Sequence, residues 1–235
     1  MRPLVLLIAL SACDADREPT MVPRMDFNRI AVELAQPLFW VADSDADGVL
    51  DPDEVAVPLG PWEATEAQFV KDGAFTEAFT EAYAAIAAVH SDGYATEGLA
   101  PDEAKRRDKV RQELKYGRAT LVLTDMGDAS AEDRAVVEHL LAAGRLIDDL
   151  YAKQTGAHGM MERIPADDPA SRMLLHRNHG PWCDTPGLAK DPECSALAER
   201  PPLVSGLYPV DLQTDPGFFA KLEEQQDLMD PFTVV

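Results

Sequence analysis

The sequence predicts a mainly α-helical protein, on three observations. Apolar residues recur at three-to-four spacing through most segments between residues 26 and 154. Only residues 119–123 read as a short extended piece. The last third, from Ile164, is rich in Pro and Gly and is expected to be mostly loop. With 235 residues, 46% of them hydrophobic, the chain has material for one large domain or two small ones.

The first helical period runs through Phe27, Ile30, Ala31, Leu34, Leu38 and Val41, with Pro37 expected to kink it or split off its last turn. Twelve residues follow, six of them acidic: Asp43-Ser44-Asp45-Ala46-Asp47-Gly48-Val49-Leu50-Asp51-Pro52-Asp53-Glu54. Asp43, Asp45 and Asp47 occupy positions one, three and five. Gly48 stands at six, where the chain turns sharply, and Val49 at seven offers its carbonyl. Leu50 is the apolar residue expected to point inward, Asp51 can act directly or through water, and Glu54 can close the site with both oxygens. This spacing resembles the EF-hand calcium loop. Calcium is hard and takes about 6–8 oxygens, which alternate residues of a tight loop can supply. The plainer alternative is an acidic, solvated loop in an acidic chain. Pro52, Pro58, Gly60 and Pro61 leave room for only a short exiting turn in the expected helix-loop-helix, and the chain has no second loop of this pattern. The resemblance therefore implies a structural calcium site of modest affinity, with Kd about 10⁻⁴–10⁻³ M.

Helices are next expected between residues 65 and 90, in a short and a longer piece broken at Asp72-Gly73. Residues 101–116 form a charged helix with Val110 and Leu114 inward. The most regular helix starts at Ser130, where Ser130 and Asp133 are close to a capping box. It carries Val136, Val137, Leu140, Leu141, Ile147, Leu150 and Tyr151 on one face and stops at Gly156. Asp148 and Asp149 are read as solvated helix surface rather than an acid–base pair. Short helices are expected near residues 169–176 and 216–228.

The N-terminus bears on location. Arg2 is followed by a short apolar run over residues 3–10, too short to span a bilayer. It ends in Leu10-Ser11-Ala12-Cys13, which resembles the lipobox of bacterial lipoprotein signal peptides; the alternative is an ordinary signal peptide with an incidental Cys. The lipobox reading implies cleavage before Cys13, attachment to membrane lipid through Cys13, and an extracytoplasmic place in a bacterial cell envelope. Cys183 and Cys194 then remain as an even pair, expected to form a disulfide in an oxidising compartment. The organisation expected is a signal peptide over 1–12, a tether over 13–25, a calcium-binding segment over 26–60 and a helical domain over 61–235.

Net charge is −21, from 42 acidic and 21 basic residues, which opposes binding to nucleic acid. No protein partner can be named. His176, His179, Cys183 and Cys194 could be read as zinc ligands, but their spacing fits no common zinc module and the disulfide is preferred. The chain has no Walker loop, Gly-x-Gly-x-x-Gly or Gly-x-Ser-x-Gly.

Four stretches occur in order: Ile147-Asp148-Asp149-Leu150-Tyr151-Ala152-Lys153-Gln154, Asn178-His179-Gly180-Pro181-Trp182, Gly206-Leu207-Tyr208-Pro209-Val210-Asp211-Leu212 and Pro231-Phe232-Thr233-Val234-Val235. Together they resemble the N-terminal part of dipeptidyl-peptidase III-like zinc metallopeptidases, over about residues 125–235. That family's His-Glu-x-x-Gly-His zinc helix starts at none of His90, His139, His158, His176 or His179. No catalytic residue transfers. The resemblance implies a standalone derivative of that region or the product of a split or truncated gene.

Overall fold

The computed structural model describes residues 21–60, 62, 64–124, 126–203 and 215–225. The expected signal peptide, Cys13, and the stretches 206–212 and 231–235 lie outside the described residues.

Helix dominates, as the periodicity predicts. Helix α1 spans Arg24–Glu33, α2 Glu77–Asp92, α3 Pro101–Lys115, α4 Ala131–Gln154, α5 Pro169–Arg177 and α6 Phe218–Glu223. Among the described residues, the strands are four two-residue pieces. β1 (Phe39–Trp40) pairs antiparallel with β2 (Val55–Ala56), and β3 (Val70–Lys71) with β4 (Ala74–Phe75). None of the described helices is long and apolar enough to cross a membrane.

Helix α1 ends before Pro37, so the expected kinked helix through Val41 is not formed. Ala35 takes a left-handed conformation (φ 52°) and the Gln36 N–H reaches back to the Ala31 carbonyl at 2.8 Å. That six-to-one closure is a Schellman-type stop. The chain then returns as β1, and Asn28 fastens the return: its amide exchanges hydrogen bonds with the Trp40 N–H (2.7 Å) and carbonyl (2.9 Å). The acidic loop thus lies between two paired strands rather than two helices. Its exiting side is a 3-10 turn, Pro52–Glu54, running into β2.

The Asp72-Gly73 break differs in kind from its expectation. Both residues have positive φ (52° and 74°), the requirement of a two-residue hairpin turn between twisted strands. Val70 pairs with Phe75 and Lys71 with Ala74, so a β-hairpin stands where a short helix is expected. The longer helix, α2, starts at Thr76, whose hydroxyl accepts from the Phe79 N–H at 3.3 Å. Residues 119–123 form no strand.

Two cores result. The first joins Phe27 and Ile30 of α1, Trp40, Leu50 and Val55 around the acidic loop, and Phe69, Phe79 and Ile86. It runs across the expected boundary at 60/61. The second packs Val110 and Leu114 of α3 against Leu174 of α5 and the Cys183–Cys194 region. Cys183 and Cys194 are joined, with Cα atoms 5.8 Å apart. This removes the sulfur donors of the zinc alternative. Trp182 donates to the Pro201 carbonyl at 2.8 Å, and a Cβ on Gly180 would meet its ring at 2.4 Å. Glycine is therefore required for Trp182 to fold over the turn.

α3 buries charge as well as Val110 and Leu114. Glu103 receives bonds from Arg106 (2.7 and 2.8 Å) and Arg107 (2.7 Å), and Asp168 receives one from Arg106. Glu113, fully buried, accepts from Arg177 (2.9 Å) and from the Thr185 hydroxyl (2.5 Å). The bonds from Arg106, then those from Arg107 and the charge of both, hold the Glu103 carboxyl down to about 2 from an ordinary 4.5, against the opposing effect of burial. A value lower in the folded than in the unfolded chain means this contribution is complete above pH 4.5 and is lost as pH falls toward 2. The melting-temperature gap between wild type and Glu103→Gln should narrow over that window. A gap that stays constant to pH 2 contradicts the assignment.

Helix α4 starts at the expected capping box: the Asp133 N–H donates to the Ser130 hydroxyl at 3.1 Å, and the Ser130 N–H to the Asp133 carboxylate at 3.3 Å. Its apolar face forms one stripe, but Leu140 is 65% exposed and Ile147 also 65%. No residue of this helix is buried among the described residues.

Candidate metal centre

The strand pair β1–β2 closes the base of the acidic loop. The Val41 N–H donates to the Glu54 carbonyl at 2.9 Å, beside the Trp40–Val55 pair. Leu50 turns into the first core, as its place in the loop predicts. The loop is thus fixed from inside by an aliphatic side chain and from below by a ladder, while Asp43, Asp45, Asp47 and Asp53 are exposed.

Asp43, Asp45 and Asp47 are exposed, and each brings a carboxylate oxygen within 4.8 Å of the other two. Local bonds shape the approach. The Asp47 N–H donates to Asp45 Oδ1 (3.2 Å), and the Val49 N–H to Asp47 Oδ1 (2.7 Å). Such side-chain-to-backbone turns curl the chain around its own carboxylates. Ala46 (φ 61°) and Gly48 (φ 76°) are both left-handed. A Cβ on Gly48 would meet only Met21 Cε, at 3.7 Å, so this glycine answers the backbone angle rather than crowding.

Glu54 stands apart from that trio. It is 3% exposed, and its carboxylate accepts from the Ser44 N–H, from the Asp51 N–H (3.3 Å) and from Trp40 Nε1 (3.0 Å). The Ser44 N–H is the largest cause holding its carboxyl below the ordinary value, with the Asp51 N–H and Trp40 adding to it against burial. Asp51 is pushed the other way, by burial first and then by the charges of Asp45, Asp47, Glu54 and Asp53. One carboxylate therefore staples the two ends of the loop, and another carries the mutual repulsion.

The donor set is all oxygen, which suits a hard divalent cation rather than a thiolate- or imidazole-preferring metal. Of the residues expected to form the site, Asp43, Asp45 and Asp47 are brought together, Val49 and Asp51 flank them, and Glu54 is engaged with the loop backbone. Ser44 and Trp40, as partners of Glu54, have no signal in the ligand spacing. A second group, Glu113 with Cys183 and Cys194, also lies close together, but both sulfurs are in the disulfide and Glu113 is satisfied by Arg177 and Thr185.

Of the stretches resembling the peptidase family, 147–154 lies on α4 and 178–182 forms the turn after α5, where His179 has φ 51°. The chain matches no protein-family model, curated protein or solved structure.

Proposed function

We propose that this chain is a non-catalytic calcium-binding protein, held to the extracytoplasmic face of a bacterial membrane by lipid on Cys13. The loop over 43–54 takes the ion, which braces the N-terminal segment on the helical body. The mutual approach of the Asp43, Asp45 and Asp47 carboxylates, at positions one, three and five of a loop turning at Gly48, carries this reading. Relief of the repulsion felt by Asp51 supports it, since a cation would answer the charge of its neighbours. The membrane part rests on the 10–13 sequence alone.

The test follows from the separate position of Glu54. Removing Glu54 also breaks the loop's own bonds, so loss of calcium binding there would be ambiguous. Asp45→Asn with Asp47→Asn keeps an oxygen acceptor for each N–H and removes two charges. With calcium at about tenfold over Kd, the wild type should gain roughly 1.4 kcal/mol, about 3–6 °C of melting temperature. In the double Asn variant the calcium shift should vanish, with the calcium-free melt level or slightly raised because two repelling charges are gone. Equal calcium shifts in both proteins would refute the site.

A further inference from the structure

Away from the acidic loop, a cavity of about 540 Å³ opens between α1, the 117–121 segment after α3, and the C-terminal end of α5. A second hollow of about 600 Å³ adjoins it, sharing Arg29, Phe39 and the 117–121 segment. Sites for small organic ligands have roughly 300–1,000 Å³ of volume, with mostly apolar walls and a few placed polar groups. Val32, Phe39, Trp62, Leu114 and Met173 provide such walls in the first cavity. Trp62 is fixed there by its Nε1, which donates to the Pro58 carbonyl at 2.9 Å.

The charges around this cavity are unequal in a way that selects a ligand. Arg29 is compensated by Asp26 and Glu33, both at 3.0 Å, and Arg177 by Glu113 at 2.9 Å. Arg118 also lines the cavity but makes no ion pair among the described residues. Burial and the nearby His179 hold His176 below its ordinary value, while Asp148 on the same wall pulls it up. Among the described residues, the Arg118 guanidinium is therefore the lining cation that makes no ion pair; the Asp148 carboxylate, on the wall beside His176, is the opposing charge it has to outweigh at the ligand's head. A planar guanidinium beside an apolar pocket fits a carboxylate carried on a hydrocarbon body. In a chain of net charge −21, general electrostatics would repel such an anion, so Arg118 has to act locally.

We propose that this cavity binds a medium-chain alkyl carboxylate, with its head on Arg118 and its chain against Trp62, Leu114 and Met173. The site is independent of the calcium loop.

The probe is decanoate below its micellar concentration. It is titrated into the full chain by calorimetry in calcium-free buffer near neutral pH, with Trp emission as a second readout. Decanol and decyltrimethylammonium serve as neutral and cationic counterparts. One saturable site is expected, with decanoate binding about tenfold more tightly than either counterpart. Arg118→Gln, at an exposed position, should remove that tenfold preference and leave decanol binding unchanged. Trp62→Leu should weaken decanoate and decanol alike. Absence of a saturable decanoate site, equal binding of the cationic counterpart, or full decanoate affinity in Arg118→Gln would each overturn the proposal. Should Trp62→Leu fail to fold, the Arg118 comparison decides alone.

Discussion

Arg106→Met is expected to lower unfolding free energy by about 3–5 kcal/mol, because it takes from the buried Asp168 carboxylate its closest cation. Arg106 is 5% exposed and uses all five of its donors. Nε and Nη2 grip Glu103 at 2.8 and 2.7 Å, Nη1 reaches Ser171 Oγ (2.9 Å) and the Ser195 carbonyl (2.7 Å), and Nη2 also bonds Asp168. One guanidinium therefore joins α3, the start of α5 and the segment after the disulfide. Asp168 is 2% exposed and caps α5 by accepting from the Ser171 N–H at 3.3 Å. Without Arg106 its nearest remaining cation is Arg107, at 3.6 Å. The pair as a whole need not stabilise relative to an apolar replacement; the asymmetry lies in removing one partner. Asp168→Asn retains the cap and discharges the acid, so the double variant should recover about 1–3 kcal/mol relative to the sum of the two single changes. Urea unfolding of the four proteins measures this. A cost below about 1 kcal/mol for Arg106→Met would mean that water reaches Asp168 and screens it.

How far this fold and site can be read from sequence follows the range of the interactions. Local rules are reliable here: Ser130 caps α4 through Asp133, and Val110 and Leu114 face inward from a helix otherwise made of charge. Leu50 points into the core because its place in the loop requires it. The errors come where two local signals compete. At 34–41 the apolar period continues past Glu33, but the left-handed turn at Ala35 stops α1 and Asn28 pulls Trp40 back into a strand. At Asp72-Gly73 the helical spacing on either side points to two helices, but both residues take positive φ and close a hairpin. The buried partners of α3 are a different case. Asp168 lies 62 residues from Arg106 and Thr185 lies 72 from Glu113, so no spacing within either segment announces them. The acidic trio is legible because it is contiguous; the staple from Glu54 to Ser44 and Trp40 depends on the β1–β2 closure.

Replacing Cys183 and Cys194 together by Ala is expected to cost about 2–3 kcal/mol, chiefly through added freedom of the unfolded chain. The two are 11 residues apart, and the enclosed segment contains no helix or strand. Ala suits the test better than Ser, since Cys194 is fully buried and a hydroxyl there would need a new partner. Other ties also hold this loop. Arg200 donates to the Asp191 and Ala189 carbonyls at 2.7 and 2.8 Å, Thr185 donates to Glu113, and Lys109 pairs with Asp191 at 3.2 Å. Those contacts make collapse of the native loop unnecessary when the bond is lost, so the variant should fold with a lower urea midpoint. Reduction of the wild type should reproduce the same loss. Adding zinc to the reduced protein should not restore it, because the second core buries both sulfurs and Glu113 is already satisfied. Full recovery with zinc would instead reinstate His176, His179 and the two thiolates as a metal set. A cost near zero for the Ala pair would mean that the unfolded chain gains little freedom when the bond is lost, and would refute the entropic assignment.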